Sequence, residues 1–266
     1  MLQAISVSKR YGAKPALHSV SLSVEKGEFL GIIGPNGCGK STLLKILSGY
    51  ERAHAGAVYL NGRPVSQFRR KELARHLGMV QQGGLPPLSF SVEEVVMMGR
   101  YAHQKPLQFA TPGDLQTVEE VLKQTHLLHL RRHLLQTLSG GERQRVALAQ
   151  VMAQQPEIVL LDEPTTYLDI GYQVGLMDLI RRWQQACGWT VVAVLHDLNL
   201  AAQYCSRLAL MNEGSICAIG APEEVLQVDR IEQVYGTKPI LLPHPDSGVP
   251  QLILKRQSVS AQSFPV

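Results

Sequence analysis

The sequence predicts an α/β fold, a mainly parallel sheet covered by helices, with an antiparallel β flank and an inserted α-helical subdomain. Three observations predict it. "FLGII" (29–33), "EIVLLDEP" (157–164) and "TVVAVLHD" (190–197) are continuous apolar runs, the pattern of parallel strands buried on both faces. "SVSLSV" (19–24) alternates instead, which puts Val20, Leu22 and Val24 on one face of an antiparallel strand. Between about residues 86 and 150 the strand signal disappears and helical periodicity replaces it.

Along the chain, Asn61-Gly62 after "AVYL" and Glu213-Gly214 between "RLALM" and "SICAIG" carry hairpin chemistry, and both suit the antiparallel flank. In the helical stretch, Thr111-Pro112-Gly113-Asp114 supplies an N-cap, a proline at the first helical position and an acid in the first turn. His126, His129 and His133 fall at helical spacing. That spacing allows a metal face, but Arg131 and Arg132 intervene and favour a solvated basic face. "PILLPHPDSGVPQLIL" (239–254) reads as a short hairpin around a Pro/Asp/Gly turn, and the last ten residues as a loose tail.

With 266 residues, 45% hydrophobic and 18% charged, the chain has the composition of a soluble globular protein with one substantial core. A net charge of +4 is compatible with nucleotide, nucleic acid or an anionic membrane surface and selects none of them. Cys38, Cys187, Cys205 and Cys217 form neither a C-x-x-C pair nor a metal-site pattern, so a reduced, cytosolic chain is expected. "MLQAISVSKRYG" lacks the order of a signal peptide, and no apolar run approaches the roughly 18 residues of a membrane span. Any membrane role is expected to run through a partner.

"GIIGPNGCGKSTLLKIL" (31–47) sets four glycines and a lysine between an apolar run and a helix-like one. The spacing from Gly34 to Gly39, Lys40 and Ser41 fits a phosphate loop, in which main-chain N–H groups and a helix N-terminus wrap a di- or triphosphate. This makes the core a P-loop NTPase core. Kinases, GTPases, recombinases and transport motors share the loop. Asp162 and Glu163 end a buried strand, where they are either a polar strand end or, beside a phosphate loop, a magnesium carboxylate (with Ser41) and a carboxylate that polarises an attacking water. The second reading favours hydrolysis over transfer. Ser139 and Glu142 form a capping box, and Gly140 and Gly141 leave that helix start open to an anion.

With "GPNGCGKST" (34–42), "LSGGERQRV" (138–146), "LLDEPTTYLD" (160–169) and "LHD" (195–197) in that order, residues 1–238 resemble the nucleotide-binding subunits of ABC transporters. The resemblance implies ATP and Mg²⁺ as ligands. It implies nucleotide binding by Gly34, Pro35, Asn36, Gly37, Cys38, Gly39, Lys40, Ser41 and Thr42 and, across a dimer, by Ser139, Gly140, Gly141, Glu142 and Asp169. Tyr11 becomes the aromatic that stacks on adenine. Glu163, His196, Gln82 and Lys40 become catalytic groups, and Ser41, Gln82 and Asp162 face the metal; Gln81 is set aside in favour of Gln82.

The implied domains are an ATPase domain, 1–238, with the helical subdomain of about 86–150 inserted, and an extension, 239–266. "VVMMGRYAHQ", "TTYLDIGYQ" and the segment from Leu195 to Gly236 are similar to ATPases of iron–siderophore, haem and cobalamin importers, with Ser206 a mild departure. The implied partners are a second copy of the chain, an integral membrane permease dimer and a periplasmic or lipoprotein substrate-binding protein, at the cytoplasmic side of the cell membrane. No nucleic acid is expected, although a DNA- or ribosome-linked ABC ATPase is the rival reading.

Overall fold

A computed structural model describes residues 1–105 and 109–255; the expected loose tail falls outside them. The chain opens with strands β1 (Leu2–Tyr11), β2 (Lys14–Val24) and β3 (Phe29–Ile33), followed by helix α1 (Lys40–Leu47). Next come β4 (Ala55–Leu60), β5 (Arg63–Pro64), α2 (Arg70–His76) and β6 (Leu77–Val80). The helical stretch holds α3 (Val92–Met98), α4 (Pro112–Gln124) and α5 (Gly140–Gln154). The chain then continues through β7 (Ile158–Asp162), α6 (Ile170–Cys187), β8 (Thr190–Val194), α7 (Leu198–Tyr204), β9 (Arg207–Asn212) and β10 (Ser215–Gly220). Two short helices, α8 (Pro222–Val225) and α9 (Val228–Tyr235), lead to the strands β11 (Ile240–Pro243) and β12 (Pro250–Ile253).

A six-stranded sheet in the order β10-β9-β3-β8-β7-β6 is parallel except for β10. Strands β3, β7 and β8 are buried along their whole length because both faces are covered. Phe29, Ile33, Val159, Leu161, Val191 and Ala193 point into a core shared with α3 to α7, whereas Leu30, Ile32, Ile158, Leu160, Val192 and Val194 enter a second core. That second core is closed by α1 and by a four-stranded antiparallel sheet in the order β2-β1-β4-β5. The helical stretch therefore shares its apolar interior with one face of the sheet.

Both hairpin signals are turns with left-handed residues: Asn61 and Gly62 at φ 51° and 80°, Glu213 and Gly214 at φ 44° and 78°. They serve different sheets, so the antiparallel flank is divided. Strand β1, absent from the sequence reading, pairs with β2 and β4. The 239–254 segment is a hairpin, held to α7 by Asn199, whose side chain donates to Leu252 O (3.2 Å) and accepts from Leu252 N (2.7 Å).

One expectation is corrected. The three histidines do not share a helix, because α4 ends at Gln124 in a Schellman turn: His126 takes φ 56°, His126 N–H donates to Lys123 O and Leu127 N–H to Leu122 O. His129 lies beyond it, in a short 3₁₀ turn.

Arg100 fastens the start of α4 to the end of α5. Its guanidinium bonds Asp114 Oδ1 at 2.8 Å and Ala153 O at 2.8 Å, with both charged residues buried. Burial raises the Asp114 pKa, but the bonds from Arg100 and Thr111 outweigh it and bring it down to about 2. A carboxylate with a depressed pKa stabilises the fold above its unfolded value and loses that contribution as pH falls toward 2. Asp114→Ala is expected to cost about 3 kcal/mol at pH 7, as for breaking a buried ion pair. In denaturant melts the gap to the unsubstituted chain should narrow between pH 4 and pH 2; a pH-independent gap would contradict this account.

Candidate functional site

The carboxyl ends of four adjacent parallel strands deliver the predicted site side by side. Across the sheet, β3 runs into the phosphate loop, β8 into His196, β7 into Asp162 and Glu163, and β6 into Gln82. Ile32, Val194 and Asp162 are in register, as are Val80 and Leu161, so the strands end at one level.

The loop is built around glycine. Gly34 has φ +148°, and a Cβ there would stand 2.2 Å from Met211 O on β9. Gly39 caps α1 at φ +106°, where a side chain would strike Ala16 O at 2.5 Å. Having no side chain, Gly39 leaves the start of α1 open to a ligand. Lys40 is buried, and its ammonium donates to Gly34 O and Pro35 O, both at 2.8 Å. No carboxylate among the described residues forms an ion pair with it. A buried cation with only neutral partners fits an anionic ligand.

Ser41 Oγ donates to Asp162 Oδ1 at 2.9 Å. Burial raises the Asp162 pKa, against the opposing pull of Ser41, Lys45 and Lys40. A hydroxyl and a buried carboxylate are hard oxygen donors suited to Mg²⁺, whose charge would favour the ionised acid. Glu163 stands in the left-handed region at φ 50°. Its Oε1 lies 2.6 Å from His196 Nε2, and its Oε2 accepts from Gln82 Nε2 at 2.5 Å and Thr166 Oγ1 at 3.2 Å. These contacts link the ends of three strands. Gln82, not Gln81, makes the contact.

Two adjoining hollows receive these groups. One, of about 250 Å³, is lined by Tyr11, Asn36, Gly37, Gly39, Lys40, Ser41, Thr42 and Glu163, together with Lys14, Pro15 and Ala16 from the start of β2. The other, of about 640 Å³, is lined by Gln82, Glu163, His196 and the segment Thr165 to Tyr167, with Gln173 and Asp197. Lys14 is not singled out by the sequence, since it reaches the site through folding and belongs to no motif; Thr166 and Asp197 lie inside "LLDEPTTYLD" and "LHD" but receive no role from them. Cys38 is a buried free thiol with its pKa pushed up by burial, a packing group rather than a nucleophile.

Ser139, Gly140, Gly141, Glu142 and Asp169 line neither hollow. The predicted capping box is present: Glu142 N–H donates to Ser139 Oγ, and Ser139 N–H to Glu142 Oε2. The N–H groups of Gly140 and Gly141 have no acceptor among the described residues. Asp169 caps α6 by accepting from Tyr172 N at 3.0 Å. The chain thus presents a loop site and, separately, an open helix start.

Residues 17–166 match the ABC transporter family model. The chain is 40% identical to the ferric enterobactin transport ATP-binding protein of Escherichia coli over 91% of its own length and 90% of the relative's. It is 39% identical to a hemin import ATP-binding protein of Gloeobacter violaceus over 95% and 94%. Among solved structures, a dimeric ATP-binding cassette in a post-hydrolysis state, bound to ADP and phosphate, is 31% identical, with TM-score 0.73 over 84% of this chain and 99% of that one. The chain belongs to the ABC transporter ATP-binding family and is an ATP-binding ATPase. Among the described residues no helix is long and apolar enough to cross a membrane.

Gly34→Ala is expected to dislodge the loop from β9 and weaken ATP binding by more than about tenfold, or about 1.4 kcal/mol. Titration with a fluorescent ATP analogue checks this. Unchanged affinity would mean that the approach to Met211 O is not needed for the loop's shape.

Proposed function

We propose that the chain is the energy-coupling ATPase of a bacterial importer for iron–siderophore chelates. Two copies act beneath a permease dimer at the cytoplasmic face of the membrane, with a substrate-binding protein outside. The observation that carries this reading is the end-to-end 40% identity with the ferric enterobactin ATP-binding protein. Haem is the second cargo, on the strength of the 39% identical hemin relative. In domain terms, residues 1–238 act as the ATPase, with the helical insert at about 86–150 meeting the permease, and 239–266 are an extension.

The roles follow from chemistry. Lys40 offsets charge on the β- and γ-phosphates, while the N–H groups of the loop and of α1 bind phosphate oxygens. Ser41 and Asp162 would hold Mg²⁺, with Gln82 facing it, and the bound ion would supply Lewis-acid polarisation of the phosphates. Glu163 takes a proton from the attacking water, and its contacts with His196, Gln82 and Thr166 fix its rotamer. His196 meets the γ-phosphate and Tyr11 stacks on adenine. Ser139, Gly140, Gly141 and Glu142, with Asp169, cover the nucleotide of the second copy.

In purified protein, Glu163→Gln is expected to retain ATP binding and hydrolyse at least about 100-fold more slowly, the scale of a lost general base. In cells, deletion should abolish growth on an iron–siderophore chelate and spare growth on free iron, and Glu163→Gln should not restore it. Loss of haem uptake alone would move the cargo to haem. Loss of a sugar or peptide uptake instead would overturn the chelate assignment.

A further inference from the structure

Tyr11 stands at the mouth of the smaller hollow, about half exposed, as the last residue of β1. An exposed aromatic in that position has rotamer freedom unless something holds it. Its hydroxyl donates to Glu51 Oε2 at 2.5 Å. Glu51 lies just past the C-terminal end of α1, forty residues away in sequence, and neither the phosphate loop nor any motif includes it.

Glu51 is in turn fixed by Lys9. The Lys9 ammonium pairs with Glu51 Oε2 at 3.2 Å, donates to Arg52 O at 2.8 Å and lies 5.3 Å from the centre of the Tyr11 ring. Thr42, on the first turn of α1, lines the same hollow as Tyr11. The ring is therefore tied at its polar tip to the segment that follows α1, the helix that begins at the phosphate loop, while Lys9 sits beside its face.

We propose that Glu51 is a positioning residue for the nucleotide base: by accepting the Tyr11 hydroxyl proton in a hydrogen bond, it sets the ring at the distance from the phosphate loop that one nucleoside triphosphate spans. The inference rests on the reading of Tyr11 as the base-stacking aromatic. Glu51 touches neither phosphate nor base. Its effect belongs on nucleotide affinity rather than on the chemical step, and only on ligands that carry a base.

The test compares Tyr11→Ala, Tyr11→Phe, Glu51→Ala and Glu51→Gln, using ATP turnover and, as a baseless probe, competition by inorganic tripolyphosphate. Glu51→Ala is expected to raise the KM for ATP about fivefold, the scale of one hydrogen bond. Its kcat should stay within about twofold, and tripolyphosphate inhibition should not change. Glu51→Gln keeps an acceptor oxygen and should restore most of the affinity. In a Tyr11→Phe background Glu51→Ala should add little, because the hydroxyl it would accept from is gone. Equal weakening of ATP and tripolyphosphate by Glu51→Ala would make the role merely structural and overturn the proposal. So would an unchanged KM in Glu51→Ala while Tyr11→Ala raises it. If Tyr11→Ala leaves the KM unchanged, the stacking reading itself falls, and the proposal with it.

Discussion

Lys40 brings a full positive charge into the protein interior and surrounds it with main-chain oxygens instead of a carboxylate. Interiors accept such a charge only where a counter-charge is supplied, and the proposed supply here is the phosphate of a bound nucleotide. The surrounding structure serves that arrangement. β3 is pinned between β8 and β9 so that the loop leaves the sheet at a fixed height. Gly34 allows the backbone to press on Met211 O, and α1 is capped by Gly39, which has no side chain to block its open end. Asp162, one strand beyond β8, carries the opposite charge at the same level, bridged to the loop helix through Ser41.

The carboxylate proposed to act on water is held differently. Glu163 turns away from the sheet through a left-handed backbone position and is held by groups from the ends of β6 and β8 and from its own turn. Because these donors come from separate strands, a shift of any one strand end moves the base. This gives a physical route by which the helical insert, which follows Gln82, can act on hydrolysis. The signature segment, in contrast, sits at the start of α5 and lines neither hollow. One chain carries two open helix starts that it does not bring together, and the proposed site is completed by a second copy.

Much of this was legible in the sequence because chemistry restricts the residues allowed. Only glycine tolerates the backbone of the loop at Gly34 and Gly39, and only doubly covered strands read as unbroken apolar runs. The capping boxes at Thr111 and Ser139 were legible for the same reason. Strand β1 was not, since the irregular pairing around Ser6, at φ 49°, breaks the alternation of Leu2, Ala4 and Val7 that would have marked it. The histidine spacing misled because a Schellman turn can form without glycine when the following residue, here the fully buried Leu127, anchors it. Glu51 could not be found locally: it joins the site across forty residues of sequence, and spacing records nothing of that.

The central claim is that each nucleotide is held by the loop of one copy and the signature helix of the other. Mixing Lys40→Ala and Ser139→Arg chains tests it most directly, because every heterodimer then contains one site in which both parts are intact. Each variant alone should be inactive, and the mixture should recover part of the ATPase activity of the unsubstituted protein. Absence of recovery in a preparation where heterodimers are demonstrated, with both variants folded, would contradict the account.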